Sequence, residues 1–176
     1  MSTNITEWIY IHNQNNTARF VLGEKGDHMI ACLGINPSTA VPNELDNTLK
    51  SVKRITDSNG NKGWVMYNVY PQRATNPKNL SDIVDTELHS LNCDIIKRTV
   101  KELGITTIWI ACGEVIETRQ YLGQCLTDIY QKLSPLNLQW KIVNTLTQSG
   151  HPRHPLYVKT TSSLSDFDIA IYCKNL

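Results

Sequence analysis

The sequence lacks a long hydrophobic segment, a secretion signal and an excess of charge. Its longest apolar runs, such as Met29–Leu33 and Ile108–Cys112, are far too short to cross a bilayer. Residues Met1–Glu7 contain no basic region followed by an apolar one, so we predict no secretion signal. The formal net charge of +1 gives no overall attraction for nucleic acid, so a nucleic-acid-binding surface would have to be a local patch.

The cysteines form no recognisable arrangement. There are five, an odd number, and no two have the CxxC spacing. This pattern argues against a disulfide framework and a structural metal site, and it is typical of the reducing cytoplasm. We therefore expect a cytoplasmic monomer with no membrane association, no metal and no cofactor.

Internal repeats, low-complexity tracts and linkers are also absent, which predicts one domain over residues 1–176. Four apolar runs bounded by turn residues predict strands buried on both faces: Met29–Ile35, Trp64–Val69, Ile105–Cys112 and Leu138–Val143. Apolar residues at helical spacing lie between these runs. Strands that alternate with helices predict an α/β fold with a short four-stranded parallel sheet flanked by helices.

The two ends of the chain are predicted to be additions to this core. Alternating residues from Trp8 predict an N-terminal β-hairpin within residues 1–27, and residues 28–157 form the core. Residues 158–176 are expected to be an edge segment with a strand at Phe167–Cys173. The helical pattern from Leu88 is expected to begin at an N-cap at Ser81.

Polar clusters follow each predicted core strand, where an open α/β sheet binds its ligands. They are Gly34–Thr39, Tyr67–Thr75, Ala111–Gly113 and Asn144–Tyr157. Asn36 and Asn68 offer amides that can hold a water or read the edge of a base, although each could simply cap a turn. The presence of both at strand ends favours a functional role.

Three further residues are candidates for chemistry. His151 and His154 could donate to a carbonyl that gains negative charge, or could be exposed loop residues. A zinc site has no acidic or cysteine partner at metal spacing. Asp46, or the nearby Glu44, could act as a general base, although acidic residues are common in a first helical turn.

Four residues could contact DNA. Arg73 and Arg153 could bind phosphates, although basic loop residues are usually only solvated. Leu156 and Tyr157 could form a wedge and a stacking surface beside a kinked duplex, or could be core residues at the base of the loop.

These clusters resemble the motifs of the uracil-DNA glycosylase superfamily, in the same order and at similar spacing over roughly Met29 to Tyr157. Gly34-Ile35-Asn36-Pro37 resembles the first active-site motif, most closely that of the mismatch-specific uracil and thymine glycosylases. Tyr67–Arg73 resembles the Asn-Val-x-x-x-Arg stretch of the thermophilic-type branch, and His151–Leu156 resembles the His-Pro-Ser-x-Leu motif. The chain is also similar to an uncharacterised bacterial domain family of unknown function with Asn-Pro-Ser-Thr and Gly-His-Pro-Arg-His-Pro-Leu-Tyr signatures.

The resemblance implies a role for each motif. Asn36 would position the attacking water, Asn68 would read the uracil edge with Gly34 and Ile35 beside it, His151 would stabilise the leaving base, and Leu156 would fill the gap in the base stack.

The sequence also departs from the family pattern. Ser38 replaces the usual glycine or tyrosine and would lie near DNA, Arg153 replaces a serine, and His154 is a second candidate for the catalytic histidine. The cysteines for an iron–sulfur cluster are absent.

The sequence therefore predicts a DNA glycosylase that hydrolyses the N-glycosidic bond of uracil or a related altered base, with single- or double-stranded DNA as its partner. Two alternatives belong to other classes. One is a weakly active or inactive DNA-binding or decoy protein, whose partner could be a proteinaceous inhibitor of uracil glycosylases. The other is an enzyme that acts on a free nucleotide or nucleoside.

Overall fold

A computed structural model describes residues 6–176 and has the α/β architecture expected from the sequence. Its strands are β1 (Trp8–His12), β2 (Arg19–Glu24), β3 (Met29–Gly34), β4 (Gly63–Asn68), β5 (Thr107–Ile110), β6 (Gln139–Val143) and β7 (Leu164–Asp166). Its α-helices are α1 (Asn47–Ser58), α2 (Thr86–Glu102), α3 (Tyr121–Leu133) and α4 (Ile169–Lys174).

The prediction of a short four-stranded parallel sheet is wrong. The sheet is mixed and has seven strands in the order β1-β2-β4-β3-β5-β6-β7. The central strands β4, β3, β5 and β6 are parallel. The N-terminal hairpin is present, but it is part of the sheet, since β2 pairs antiparallel with β4. Phe20, Val21 and Leu22 are fully buried there. Alternation along a hairpin shows which residues can face a core but not which strand it pairs with, so the sequence could not place β2.

The C-terminal segment also differs from the prediction. The expected edge strand at Phe167–Cys173 is wrong: the strand is the three-residue β7, which pairs antiparallel with β6. The residues that follow form α4, which begins after the N-cap Asp168, whose side chain accepts from the Ile171 backbone N–H at 2.9 Å. Ile169 and Tyr172 are its buried residues, three apart as on one helix face. The segment is too short for its periodicity to separate helix from strand.

The helices cover the two faces of the sheet. In α1, Leu49, Val52 and Ile55 are buried against Trp64 and Trp109, as the spacing predicted. The opposite face carries α2, α3 and α4. Helix α2 begins after Asp85, whose side chain accepts from Leu88 N–H at 3.0 Å, and not after the predicted Ser81. Within residues 6–176 no helix is long and apolar enough to cross a membrane.

Candidate functional site

The candidate site begins where β3 and β4 end together. These strands are parallel neighbours, and their register pairs Gly34 with Asn68. The two chains leave the sheet side by side, because Val69 N–H donates to Gly34 C=O at 2.8 Å and Tyr70 N–H donates to Ile35 C=O at 2.9 Å. Parallel pairing therefore brings the first two polar clusters of the sequence to one edge of the sheet.

A cavity of about 120 Å³ opens at this edge. Since roughly 10–15 Å³ is the least space that admits one water, and each water occupies about 30 Å³ in the liquid, the cavity has room for several waters or a small ligand. Seven of the sequence-predicted site residues line it: Gly34, Ile35, Asn36, Ser38, Asp46, Asn68 and His154. The wall also contains Arg19, Met66, Cys112 and Val115.

Gly34 keeps the floor of the cavity open. A Cβ atom at this position would lie 2.5 Å from Met66 Cε and 3.3 Å from Asn68 Nδ2. The Met66 side chain is flexible and can move. The Asn68 amide is held by a hydrogen bond from Arg19. A larger residue at position 34 would therefore displace the amide only by breaking that bond.

Asn36 presents one free acceptor to the cavity. Its Nδ2 donates to Ala74 C=O at 2.7 Å and to Pro37 C=O at 3.1 Å, so both amide hydrogens are used. The residues described here give Asn36 Oδ1 no partner. Because both hydrogens of the amide are bonded, the side chain cannot flip to exchange its oxygen and nitrogen. Oδ1 is therefore available to accept a hydrogen bond from a water or a ligand.

Asn68 is 1% exposed and is held against a buried arginine. Its Oδ1 accepts from Arg19 Nη2 at 3.3 Å, and its backbone C=O accepts from Asn92 Nδ2 at 2.9 Å. Because Arg19 fixes which end of the amide is oxygen, Nδ2 is the end left to donate. The carbonyl oxygen has a second lone pair and can accept one more hydrogen bond.

Arg19 was not among the residues that the sequence singled out. It is the first residue of β2, and antiparallel pairing with β4 brings it to the carboxyl end of that strand, where its N–H donates to Pro71 C=O at 3.0 Å. Only 1% of the residue is exposed. Burial, with Arg73 nearby as the next cause, lowers the pKa of Arg19 to about 10, so it is a cation at neutral pH. The only signal in the sequence was a charged residue at the head of an apolar run.

Asp46 lines the cavity as the N-cap of α1. Its Oδ1 accepts from Leu49 N–H at 2.9 Å, which begins the helix. No residue in the described part of the chain bonds Oδ2. One oxygen of this carboxylate is therefore structural, and the other can accept a proton.

His154, and not His151, is the histidine of the cavity. Its Nδ1 accepts from Leu156 N–H at 3.3 Å, so the proton of the neutral ring lies on Nε2. Burial lowers the pKa of His154, and the carboxylate of Asp46 offsets part of this shift. The ring is therefore neutral at pH 7 and has one N–H to donate.

His151 lies outside the cavity lining and is 6% exposed. Its Nδ1 is 2.7 Å from the Tyr172 hydroxyl, and its Nε2 is 2.8 Å from Glu117 Oε1. The same hydroxyl lies 3.5 Å from Cys112 Sγ, on the cavity wall. Glu117 and Tyr172, which the sequence did not indicate, thus fix His151 as the anchor of the loop that carries His154.

The remaining predicted residues lie around the cavity. Arg73 is engaged by the protein, since its guanidinium donates to Tyr10 Oη at 2.9 Å, to Asn16 Oδ1 at 3.2 Å and to the Ser38 carbonyl. These bonds hold the segment after β3 in place, and the contact of Arg73 with a phosphate stays a prediction.

A second cavity of about 500 Å³ shares His154 and Val115 with the first and is also lined by Arg153 and Tyr157. Tyr157 is 80% exposed and Leu156 is 44% exposed. Neither is a core residue, so the core alternative that the sequence left open for this pair does not hold. Arg153 donates to Thr145 C=O at 2.9 Å, which ties it to its own loop.

In residues 6–176 no three His, Cys, Asp or Glu side chains are arranged to hold a metal ion. The polar groups of the site can act by hydrogen bonding and charge: two amides, one carboxylate, one neutral imidazole and one buried guanidinium surround one small cavity.

Residues 19–156 match the family described as "Protein of unknown function (DUF1643)", and the chain belongs to that family. The matched region begins at Arg19 and includes every residue named above for the first cavity. No curated protein matches the chain.

Proposed function

We propose that this protein is a DNA glycosylase that hydrolyses the N-glycosidic bond of uracil or a related altered base. The observation that carries the proposal is the convergence of Asn36, Asn68, Asp46 and His154 on one cavity of about 120 Å³. A base reaches such a cavity only by leaving the stack, at a cost of a few kcal/mol, which is how enzymes that act on DNA bases work.

Asn36 and Asp46 position and activate the attacking water. The water donates one hydrogen to Asn36 Oδ1 and the other to Asp46 Oδ2, two acceptors that have no partner among residues 6–176. The water oxygen bonds to the anomeric carbon of the sugar as the bond from that carbon to the base nitrogen breaks. The electron pair of the broken bond stays on the base, and Asp46 takes the proton.

His154 stabilises the leaving base. The charge that develops on the base is shared with its ring carbonyls, and Nε2–H of His154 can donate to one of them. Since burial lowers the pKa of His154, the ring is neutral at pH 7 and acts as a hydrogen-bond donor, with its orientation fixed by Leu156 N–H.

Asn68 selects the base. Its Nδ2 donates to a ring carbonyl, and the second lone pair of Oδ1 accepts from a ring N–H. Uracil offers this carbonyl and N–H side by side, whereas cytosine offers an amine and an unprotonated ring nitrogen. Because Arg19 fixes the amide orientation, the side chain cannot flip to accept cytosine.

The second cavity is the place for the DNA next to the flipped base. It shares His154 with the base cavity, and the exposed ring of Tyr157 offers a surface on which a neighbouring base can stack. In the proposed complex Leu156, an exposed residue of the same turn, enters the gap that the flipped base leaves.

Base excision from labelled oligonucleotides tests the proposal. The substrates carry one uracil, either single-stranded or opposite guanine or adenine, and the readout is alkali-sensitive cleavage. We expect cleavage by the unaltered protein and a loss of at least 100-fold in Asn36→Ala and His154→Ala, since one positioned catalytic group contributes about 10²–10⁴-fold. The exposed residues His12 and Asn175 give matched controls, His12→Ala and Asn175→Ala, which should cleave normally.

Two outcomes would contradict the proposal. Cleavage that survives in both site variants would mean that another site or a contaminant is responsible. Folded protein that binds the oligonucleotides and cleaves none of them would favour the DNA-binding or decoy alternative.

A further inference from the structure

Arg19 has more hydrogen-bonding capacity than the protein uses. A guanidinium has five N–H donors. Two are used by the side chain, in bonds from Nη1 to Ala40 C=O and from Nη2 to Asn68 Oδ1, both 3.3 Å long. The other three have no partner among residues 6–176, and Nε is completely buried. Unpaired N–H groups on a cation that is 1% exposed are costly unless a ligand or trapped water pairs them.

The charge of Arg19 is not paired directly by any residue around it. No carboxylate of the described residues forms an ion pair with Arg19, and Asp46, the acidic residue of the cavity wall, offsets its charge only from a distance. A second cation, Arg73, shares the Ala40 carbonyl with Arg19 at 3.4 Å. Arg19 is therefore a buried cation in the inner wall of the cavity with unpaired N–H groups, in surroundings where charge interactions are strong.

We propose that Arg19 makes this cavity a site for a pyrimidine ring in its anionic form, and that it prefers an ionised ring to a neutral one. The inference rests on the proposed function for the identity of the ring. It adds that Arg19, together with Asn68, holds the ionised ring and makes the site favour it, with His154 donating from the loop. A charge-assisted hydrogen bond to an anion is roughly twice as strong as a neutral one, so the preference comes from Arg19.

Binding of free bases tests this without any cleavage. The probes are 5-nitrouracil, whose electron-withdrawing group leaves the ring mostly ionised at pH 7.5, uracil, which is neutral at that pH, and inorganic phosphate as a general anion. Titration calorimetry should show 5-nitrouracil binding about tenfold or more tightly than uracil, since a hydrogen bond to a charged group is worth more than a neutral one by about this factor.

Three variants locate the source of the preference. Arg19→Met should bind the two pyrimidines equally. Arg19→Lys, which keeps the charge without the planar fork, should retain part of the preference. Arg98→Met removes an exposed cation of α2 and should bind as the unaltered protein does. Circular dichroism shows whether the variants fold, and if Arg19→Met does not, the comparison of Arg19→Lys with the unaltered protein remains.

Several results would overturn the inference: equal binding of uracil and 5-nitrouracil, a preference that survives in folded Arg19→Met, or no binding of either ring. Arg19-dependent binding of phosphate alone would identify a phosphate site, as an enzyme of free nucleotides needs. The preference for 5-nitrouracil without excision from DNA would leave the inference standing and refute the glycosylase. Excision without the preference would do the reverse.

Discussion

The substitution Tyr172→Phe tests whether His151 is an anchor of the loop or a catalytic residue. The Tyr172 hydroxyl lies between His151 Nδ1 at 2.7 Å and Cys112 Sγ at 3.5 Å. Burial raises the pKa of Tyr172 far above its ordinary value and the pKa of Cys112 to about 12, so both groups keep their protons. With Nε2–H of His151 donating to the Glu117 carboxylate, Nδ1 is the ring nitrogen that accepts from the Tyr172 hydroxyl. Phenylalanine would keep the ring packing and leave Nδ1 without a donor.

The expected loss follows from the burial of His151. An unsatisfied polar atom in a residue that is 6% exposed costs about 1–3 kcal/mol. For a chain of this size each kcal/mol lowers the melting temperature by about 2–4 °C, so thermal unfolding followed by circular dichroism should show a decrease of about 2–12 °C.

A double-mutant cycle makes the reasoning refutable. In a His151→Leu background the substitution Tyr172→Phe no longer leaves a buried nitrogen without a hydrogen-bond donor. The loss of unfolding free energy caused by Tyr172→Phe should therefore be smaller there by about 1 kcal/mol or more. Effects that add to within about 0.5 kcal/mol would show that the two side chains are not coupled. His151→Leu with an unchanged melting temperature and no excision would make His151 a catalytic residue and refute its role as an anchor.

Three further predictions concern the cavity. Gly34→Ala should cost about 1–3 kcal/mol of stability, because the new Cβ crowds Met66 and the Asn68 amide, and it should abolish uracil binding in calorimetry; unchanged binding would contradict the assigned role of Asn68. Asp46→Ser keeps a helix cap but removes the carboxylate that raises the pKa of His154, so an NMR titration should give a lower pKa than in the unaltered protein; an equal or higher value would refute this pairing. Tyr157→Ala should weaken binding of single-stranded oligonucleotides by about 1–3 kcal/mol, seen by fluorescence anisotropy, and leave free-base binding unchanged; a loss of both would place the ring inside the base cavity.

The lowered pKa of His154 also fixes the sign of one pH effect. The unfolded chain binds the imidazole proton more readily than the folded chain, so this residue makes stability rise with pH. Its contribution is present above the unfolded pKa of about 6.5 and is lost as the pH falls towards the lower folded value. Excision should likewise persist below pH 6.5 until the folded ring is protonated.

The parallel centre of the sheet could be predicted because each of its strands is a continuous apolar run. Met29–Gly34 and Gly63–Asn68 are buried on both faces, and that composition is typical of parallel strands covered by helices. Once the strands are parallel neighbours, the residues after them must lie at one edge of the sheet. The neighbourhood of Asn36 and Asn68 could therefore be expected from the chain alone.

The antiparallel additions could not be predicted, because they depend on pairing between distant segments. Periodicity shows that Arg19–Leu22 has the composition of a strand, but nothing in those residues specifies β4 as the partner. The local sequence pattern also could not predict which of the two histidines lines the cavity. His151 and His154 are three residues apart on one loop, and only the positions of Glu117 and Tyr172, on other elements, decide which ring is buried in the fold and which faces the cavity.

Because the pairing of β2 with β4 could not be predicted, Arg19 was not recognised as a site residue. The position of Arg19 in the cavity has a chemical consequence. In the proposed reaction Asp46 must be an anion to accept a proton, and the base that leaves also becomes an anion, so two negative charges would develop in one small cavity. A neutral His154 cannot balance them. Arg19, placed there by β2, supplies a positive charge without reaching into the solvent-facing part of the site. It also holds the amide of Asn68, which in the proposed reaction contacts the part of the ring where the charge appears. The hairpin that the sequence presented as an extension of the core thus provides the only cation that lines the cavity within the described residues.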